Sequence, residues 1–167
     1  TLSLHDALPI SENWNRPKLE TNALIKLIQN VMQKELDNLI KNNIQLKIIG
    51  DTSKFSKNIN YVFKTAVNKT KKNSGLKLIL AINYSGKWDI INAVKNTINN
   101  GTSLEQIENN FREKLSTNNI PDPELVIRTG GEKRISNFFL WQIAYSEFIF
   151  SNIFWPDFRK KDIISAI

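Results

Sequence analysis

Short apolar runs alternate along this chain with stretches whose apolar residues recur at helical spacing, and that alternation restricts the fold more than any other feature. Ile44 to Ile49 reads as a strand ending in Gly50-Asp51. A helix follows through Ile59, Val62, Phe63, Ala66 and Val67, then a turn at Asn73-Ser74-Gly75. Leu76 to Ile82 is a second strand, ending in Asn83-Tyr84-Ser85-Gly86. Trp88 to Ile98 is helical and stops at Asn99-Asn100-Gly101, a favourable C-terminal cap. Ser103 and Gln106 form a capping-box pattern for a helix through Ile107, Phe111 and Leu115. Leu125-Val126-Ile127 is a further buried strand, and Pro17 to Asn42 a long amphipathic helix at the start. Alternation of this kind predicts an α/β fold with a mainly parallel central sheet flanked by helices.

The polar motifs fall at strand ends. Asp51, Asn83 and Arg128 each follow a strand, and Ser11-Glu12-Asn13 stands where another is expected. In a parallel sheet those ends share one edge, which is where ligands bind. The densest chemistry follows Ile127: Arg128, then Gly130-Gly131, then Lys133 and Arg134, then Ser136 opening an apolar, helix-like run. Glycines let a backbone turn closely around a ligand, and a helix start offers N–H groups to an anion. Two guanidiniums converging there would grip a phosphate or diphosphate with paired hydrogen bonds. Lysines outnumber arginines 18 to 5, so arginine in this stretch stands out against the chain's own usage. Glu147 has two readings: a salt bridge to Arg128 or Arg134, or a Mg²⁺ ligand sharing its ion with a diphosphate.

Composition narrows the partners. With 167 residues and 41% hydrophobic content there is material for one domain with a real core. The absence of cysteine removes disulfide and thiolate chemistry and fits a cytoplasmic protein. The longest apolar stretch, Phe138 to Phe150, is interrupted by Gln142, Ser146 and Glu147 and is no membrane span. A formal net charge of +7 implies an anionic partner. Nucleic acid would require a basic face studded with aromatic residues, whereas the aromatic residues here sit in apolar runs, so no nucleic acid is expected.

Ile127-Arg128-Thr129, Gly131-Glu132, Arg134, Ser136-Asn137-Phe138, Trp141-Gln142, Tyr145, Glu147 and Trp155-Pro156-Asp157-Phe158 together resemble the signature of the cis-prenyltransferase family, in particular its bacterial members that make undecaprenyl diphosphate. The resemblance covers all but the first ten residues. It implies sequential condensation of isopentenyl diphosphate onto an allylic diphosphate, typically farnesyl diphosphate, to build the cell-wall carrier lipid. It implies an apolar tunnel for the growing prenyl chain, Mg²⁺ as cofactor with Glu147 as its ligand, and a cytoplasmic homodimer that touches the inner membrane face for product release. Arg128, Arg134 and Ser136 would hold isopentenyl diphosphate, with Ile135 contributing backbone contact. Ser11, Glu12, Trp14 and Arg16 correspond to substrate-contacting positions of a mobile loop, and Asn13 to the residue assigned as proton acceptor. A lone amide is a weak base, so Asn13 would orient substrate or pass a proton through a hydrogen-bonded partner. Leu76 takes the place of a bulky residue that helps close the tunnel floor. Lys133 replaces a histidine usual beside the second arginine. The alternative is a non-catalytic partner subunit of the same family, although such relatives usually lose motif residues that are intact here.

Thr1 to Ile10, TLSLHDALPI, does not resemble the family and reads as a foreign, adapter-derived segment, with 11–167 a partial cis-prenyltransferase domain. The family's N-terminal aspartate motif and its basic C-terminal tail have no counterpart in these residues. On that reading, the polypeptide as written is expected to be poorly soluble and inactive.

Overall fold

A computed structural model describes residues 30, 32, 34–99, 103, 105, 107 and 110–166. They belong to two compact units, one running to Tyr84 and the other from Ser85 onward.

In the first unit, residues 34–41 form helix α1, and the chain turns at Asn43 into β1, Gln45–Ile49. Asn43 has φ +54, a left-handed value that asparagine tolerates better than most residues. Helix α2, Lys57–Thr70, crosses over to β2, Lys77–Ala81, and the two strands pair in parallel with Gln45 opposite Lys77 and Ile49 opposite Ala81. A parallel pair needs such a crossover, so this is a βαβ unit. Ser56 starts α2 by accepting a hydrogen bond from the Ile59 amide at 3.4 Å. One face of the helix, Ile59, Phe63, Ala66 and Thr70, is buried. Thr70 closes the helix onto the sheet: its hydroxyl donates to Ala66 O (2.9 Å) and accepts from the Leu46 amide (3.1 Å). The core joins Met32, Leu39, Ile44, Leu46, Phe55, Ile59, Phe63, Ala66 and Ile82. The expected helix, turn and two strands therefore form where the apolar spacing put them.

In the second unit, α3 (Gly86–Asn99) packs Ala93 against Phe111 and Leu115. Further on, β3 (Leu125–Arg128) pairs in parallel with β4 (Glu147–Phe150), Leu125 opposite Glu147 and Arg128 opposite Phe150. Two expectations fail in this unit. The helix read through Phe111 and Leu115 is, from Phe111 to Lys114, a 3-10 turn, and Leu115 is extended. Arg112 bends that turn back onto the next segment, donating to Ile120 O (2.7 Å) and pairing with Asp122 (2.9 Å). The apolar run after Ser136 is likewise no helix: 136–145 is a series of turns, and the run ends in β4. Ser136, Asn137 and Phe139 all have left-handed φ, +46, +62 and +45, which interrupts any helical ladder there. The parallel strands expected from the sequence are present, and among the described residues they form two pairs.

Candidate active site

The ends of β1 and β2 come together. Gly50 turns the chain at φ +105, and an added Cβ would lie 2.1 Å from Ile82 O, so only glycine fits. Beyond it, the Asp51 amide donates to Asn83 O (3.1 Å), and the Asn83 side-chain amide donates to Asp51 O (2.8 Å). The Asp51 carboxylate accepts from the amide (2.9 Å) and the hydroxyl (2.5 Å) of Ser53. These two polar residues thus lock the strand ends to each other, which is the structural alternative to a ligand role.

The cationic segment after β3 is built around Arg128. Its guanidinium Nη1 donates to Ser136 Oγ at 2.8 Å and to Arg134 O, drawing the loop 129–136 into an arc around one side chain. Arg128 is half-buried, whereas Lys133, Arg134, Ile135 and Ser136 are exposed. Arg134 pairs with Glu132 at 3.0 Å. The structure therefore brings the Ser136 hydroxyl and the Arg134 carbonyl to Arg128, with Ile135 between them in the chain, while the Arg134 guanidinium pairs with Glu132 and does not join that of Arg128 in these contacts. It corrects the part given to the glycines. Gly130 and Gly131 do turn through left-handed φ, +87 and +78, but their N–H groups donate to Ile153 O and Ser151 O, both at 2.9 Å. They prolong the pairing of β3 with the chain beyond β4 and do not cradle an anion. Nor does a helix start at Ser136 to offer N–H groups.

Asn137 carries a connection that the motif reading gave no role. Its carbonyl accepts from the Gly86 amide (2.7 Å) and its side-chain Oδ1 from the Lys87 amide (3.0 Å), so it caps α3. The signal available in the sequence was its residue type: asparagine both caps helices and tolerates left-handed φ. Deeper in the same unit, Asp89 is buried and accepts from the Ser116 amide (2.8 Å) and the Gln142 side chain (3.2 Å); Gln142 also donates to Thr117 Oγ1 (2.9 Å).

Glu147 is not part of this cluster. It opens β4 opposite Leu125, three residues before Arg128, about 10 Å back along the strand pair. It is exposed, and the ion pair offered as its alternative role is absent among the described residues, since Arg134 takes Glu132 instead. One carboxylate can suffice for Mg²⁺ held mainly by diphosphate and water. Among the described residues, however, no group of three or more potential metal ligands gathers. The strand register thus sets the Glu147 backbone three residues from that of Arg128 along the pair. Ser11, Glu12, Asn13, Trp14 and Arg16 lie outside the described residues, as does the segment 1–10.

Residues 10–167 match a family model for undecaprenyl diphosphate synthase. A ditrans,polycis-undecaprenyl-diphosphate synthase from Buchnera aphidicola subsp. Schizaphis graminum, named as specific for (2E,6E)-farnesyl diphosphate, is 53% identical over 162 residues, which is 93% of this chain and 65% of that protein. Its namesake in Haemophilus influenzae is 48% identical, over 94% of this chain and 68% of its own length. An isoprenyl transferase of Chlorobaculum tepidum is 45% identical, over 93% and 61%. The chain thus spans 61–68% of the length of these curated relatives. Among solved structures, lavandulyl diphosphate synthase from Lavandula x intermedia, in complex with dimethylallyl diphosphate, superposes with a TM-score of 0.86 at 32% identity, covering 93% of this chain and 70% of that one. A probable undecaprenyl diphosphate synthase from Campylobacter jejuni gives 0.83 at 33% identity, covering 93% and 73%. Similarity this extensive in both sequence and fold, around an arginine-centred loop at a strand end, means that the chain belongs to the undecaprenyl diphosphate synthase family of cis-prenyltransferases.

Proposed function

We propose that this chain is the isopentenyl-diphosphate-binding part of an enzyme that elongates an allylic diphosphate in the cis sense, with farnesyl diphosphate as the starter and undecaprenyl diphosphate as the product. The observation that carries the reading is the Arg128 guanidinium drawing Ser136 and Arg134 around itself, in a chain whose relatives are named for this reaction. In the reaction, the allylic carbon–oxygen bond breaks and diphosphate leaves with the electron pair. The double bond of isopentenyl diphosphate closes onto that carbon, and loss of a proton sets the new cis double bond. Arg128 and Arg134 supply fixed positive charge to the diphosphate of isopentenyl diphosphate, and the Ser136 hydroxyl adds a hydrogen bond. Their task is to hold the nucleophile in line. Ile135, between them, presents its backbone. In the same reading Ser11, Glu12, Trp14 and Arg16 contact substrate, and Asn13 orients substrate or passes the departing proton through a hydrogen-bonded partner.

Mg²⁺ belongs to the proposal because a departing diphosphate needs its charge neutralised. No step is drawn through Glu147, which lies away from the Arg128 cluster. The homodimer, the prenyl tunnel with Leu76 at its floor, the cytoplasmic location and the product's delivery at the membrane face complete the reading. Among the described residues no helix is long and apolar enough to cross a membrane.

Calorimetric titration of isopentenyl diphosphate tests the grip directly. We expect saturable binding that inorganic diphosphate displaces and that Arg128→Ala weakens by at least about tenfold. Binding unaffected by Arg128→Ala would remove the assignment. In the full-length protein of this reading frame, labelled isopentenyl diphosphate should enter a butanol-extractable product only when farnesyl diphosphate and Mg²⁺ are present.

A further inference from the structure

We infer that Asn137 is a positioning residue for the diphosphate grip, fixing the Arg128–Ser136 loop to the first turn of α3. The inference rests on the proposed diphosphate-binding role of that loop. Ser136, which takes the hydrogen bond from Arg128, is followed directly by Asn137. Asn137 is the point at which the loop meets a rigid element. Its carbonyl accepts from the Gly86 amide at 2.7 Å and its Oδ1 from the Lys87 amide at 3.0 Å. The next amide, that of Trp88, is satisfied by Ser85 Oγ at 3.3 Å. The first donors of α3 are thus occupied, so this helix start serves as an anchor for the loop and not as an anion site.

The fit at the contact is close. A Cβ on Gly86 would lie 2.6 Å from Leu140 Cγ and 2.7 Å from its amide nitrogen, so the helix start lies flush against the turn that follows Asn137. A second tie lies further along: Gln142 reaches Asp89, three residues into the same helix. Between these ties the chain runs through the left-handed Phe139, a conformation that a loop holds only when its surroundings fix it. Arg128 therefore acts against a Ser136 that cannot drift, and a guanidinium so restrained loses little freedom when a diphosphate arrives.

Two variants separate this role from mere helix capping. Asn137→Gly keeps the left-handed backbone and the carbonyl bond to Gly86 but deletes Oδ1. Asn137→Asp keeps an acceptor oxygen at the same reach, and a carboxylate is welcome at a helix start. Isopentenyl diphosphate is titrated into the parent and both variants, with thermal unfolding followed in parallel. The expected result for Asn137→Gly is a rise in Kd of about fivefold, the equivalent of one lost hydrogen bond, with the melting temperature lowered by no more than about 2–4 °C. Asn137→Asp should stay nearer the parent than Asn137→Gly does. Parent-like affinity in Asn137→Gly, or weaker binding by Asn137→Asp than by Asn137→Gly, would overturn the inference. Should Asn137→Gly fail to fold, Asn137→Ala takes its place under the same criteria: a Kd raised about fivefold supports the anchor, and parent-like affinity refutes it. If Arg128→Ala binds isopentenyl diphosphate as tightly as the parent, the underlying diphosphate reading fails and the inference fails with it. If only the Asn137 variants behave as the parent does, the diphosphate reading stands and the anchor alone is lost.

Discussion

The link between Arg128 and Ser136 can be tested by a double-mutant cycle on isopentenyl diphosphate binding. Arg128→Ala removes the guanidinium and, with it, the bonds to Ser136 Oγ (2.8 Å) and Arg134 O. A hydrogen bond to a charged group is worth about 1.5–3 kcal/mol, so Kd should rise about 12- to 150-fold. Ser136→Ala removes one acceptor of a half-buried arginine. Ser136 itself is exposed, which places the loss below that range, about 1 kcal/mol or fivefold. If Ser136 acts mainly by holding Arg128, its loss should matter little once Arg128 is gone. The double variant should then bind like Arg128→Ala alone, giving a coupling of about 1 kcal/mol. Calorimetry at one fixed salt concentration measures all four corners, with circular dichroism confirming that each variant folds. Effects that add to within about 0.3 kcal/mol would refute the reasoning, because Ser136 and Arg128 would then act on the ligand independently.

Four further outcomes follow from the geometry. Gly50→Ala should lower urea stability by more than about 3 kcal/mol, since both its φ and the 2.1 Å approach to Ile82 O forbid a side chain; Gly130→Ala, whose Cβ would meet nothing nearer than 3.8 Å, should lose only about 1–2 kcal/mol. Asp89→Ala leaves the Ser116 amide without this acceptor and the Gln142 side chain with one bond fewer, and should cost about 1–3 kcal/mol in the same assay. Leu76 is 67% exposed, so Leu76→Ala should change stability by less than about 0.5 kcal/mol, and longer products on thin-layer chromatography of the full-length protein would then report on the tunnel alone. Asp122 raises the proton affinity of Arg112 above its already high ordinary value, first through their hydrogen bond and then through their charge attraction. A raised folded-state value stabilises below the unfolded one and is lost only above it, so thermal stability should show no step from this arginine between pH 6 and about 9. Such a step, abolished by Arg112→Lys, would contradict that sign.

The first unit was legible because its elements satisfy local rules. Ile59, Phe63 and Ala66 repeat at helical spacing, Ser56 caps, and Gly75 turns into a strand. The segment 136–150 was misread because its apolar residues are nearly continuous, and a continuous run does not distinguish helix from strand by periodicity. Its conformation is set instead by partners distant in sequence: Gly86 and Lys87 for Asn137, Asp89 for Gln142, and β3 for Phe148 to Phe150. The clustering of Arg128, Arg134 and Ser136 on one loop was legible from residue type and spacing. The use of the Gly130 and Gly131 amides was not, because the carbonyls that take them belong to Ser151 and Ile153. At the strand ends read as a ligand edge, the Asn83 side chain binds the Asp51 carbonyl, and the Asp51 carboxylate binds Ser53 in its own loop.

The pairing of those two glycine amides bears on how the protein meets its ionic surroundings. A cradle of main-chain dipoles works at contact range, where dissolved ions intrude little. With these amides engaged, attraction falls to side-chain cations near water, among them an Arg134 whose side chain is 68% exposed. Mobile ions screen such charges over about 8 Å at physiological ionic strength. Potassium chloride should therefore weaken isopentenyl diphosphate binding steeply, and the occupancy of this loop in a living cell would fall as the internal salt rises.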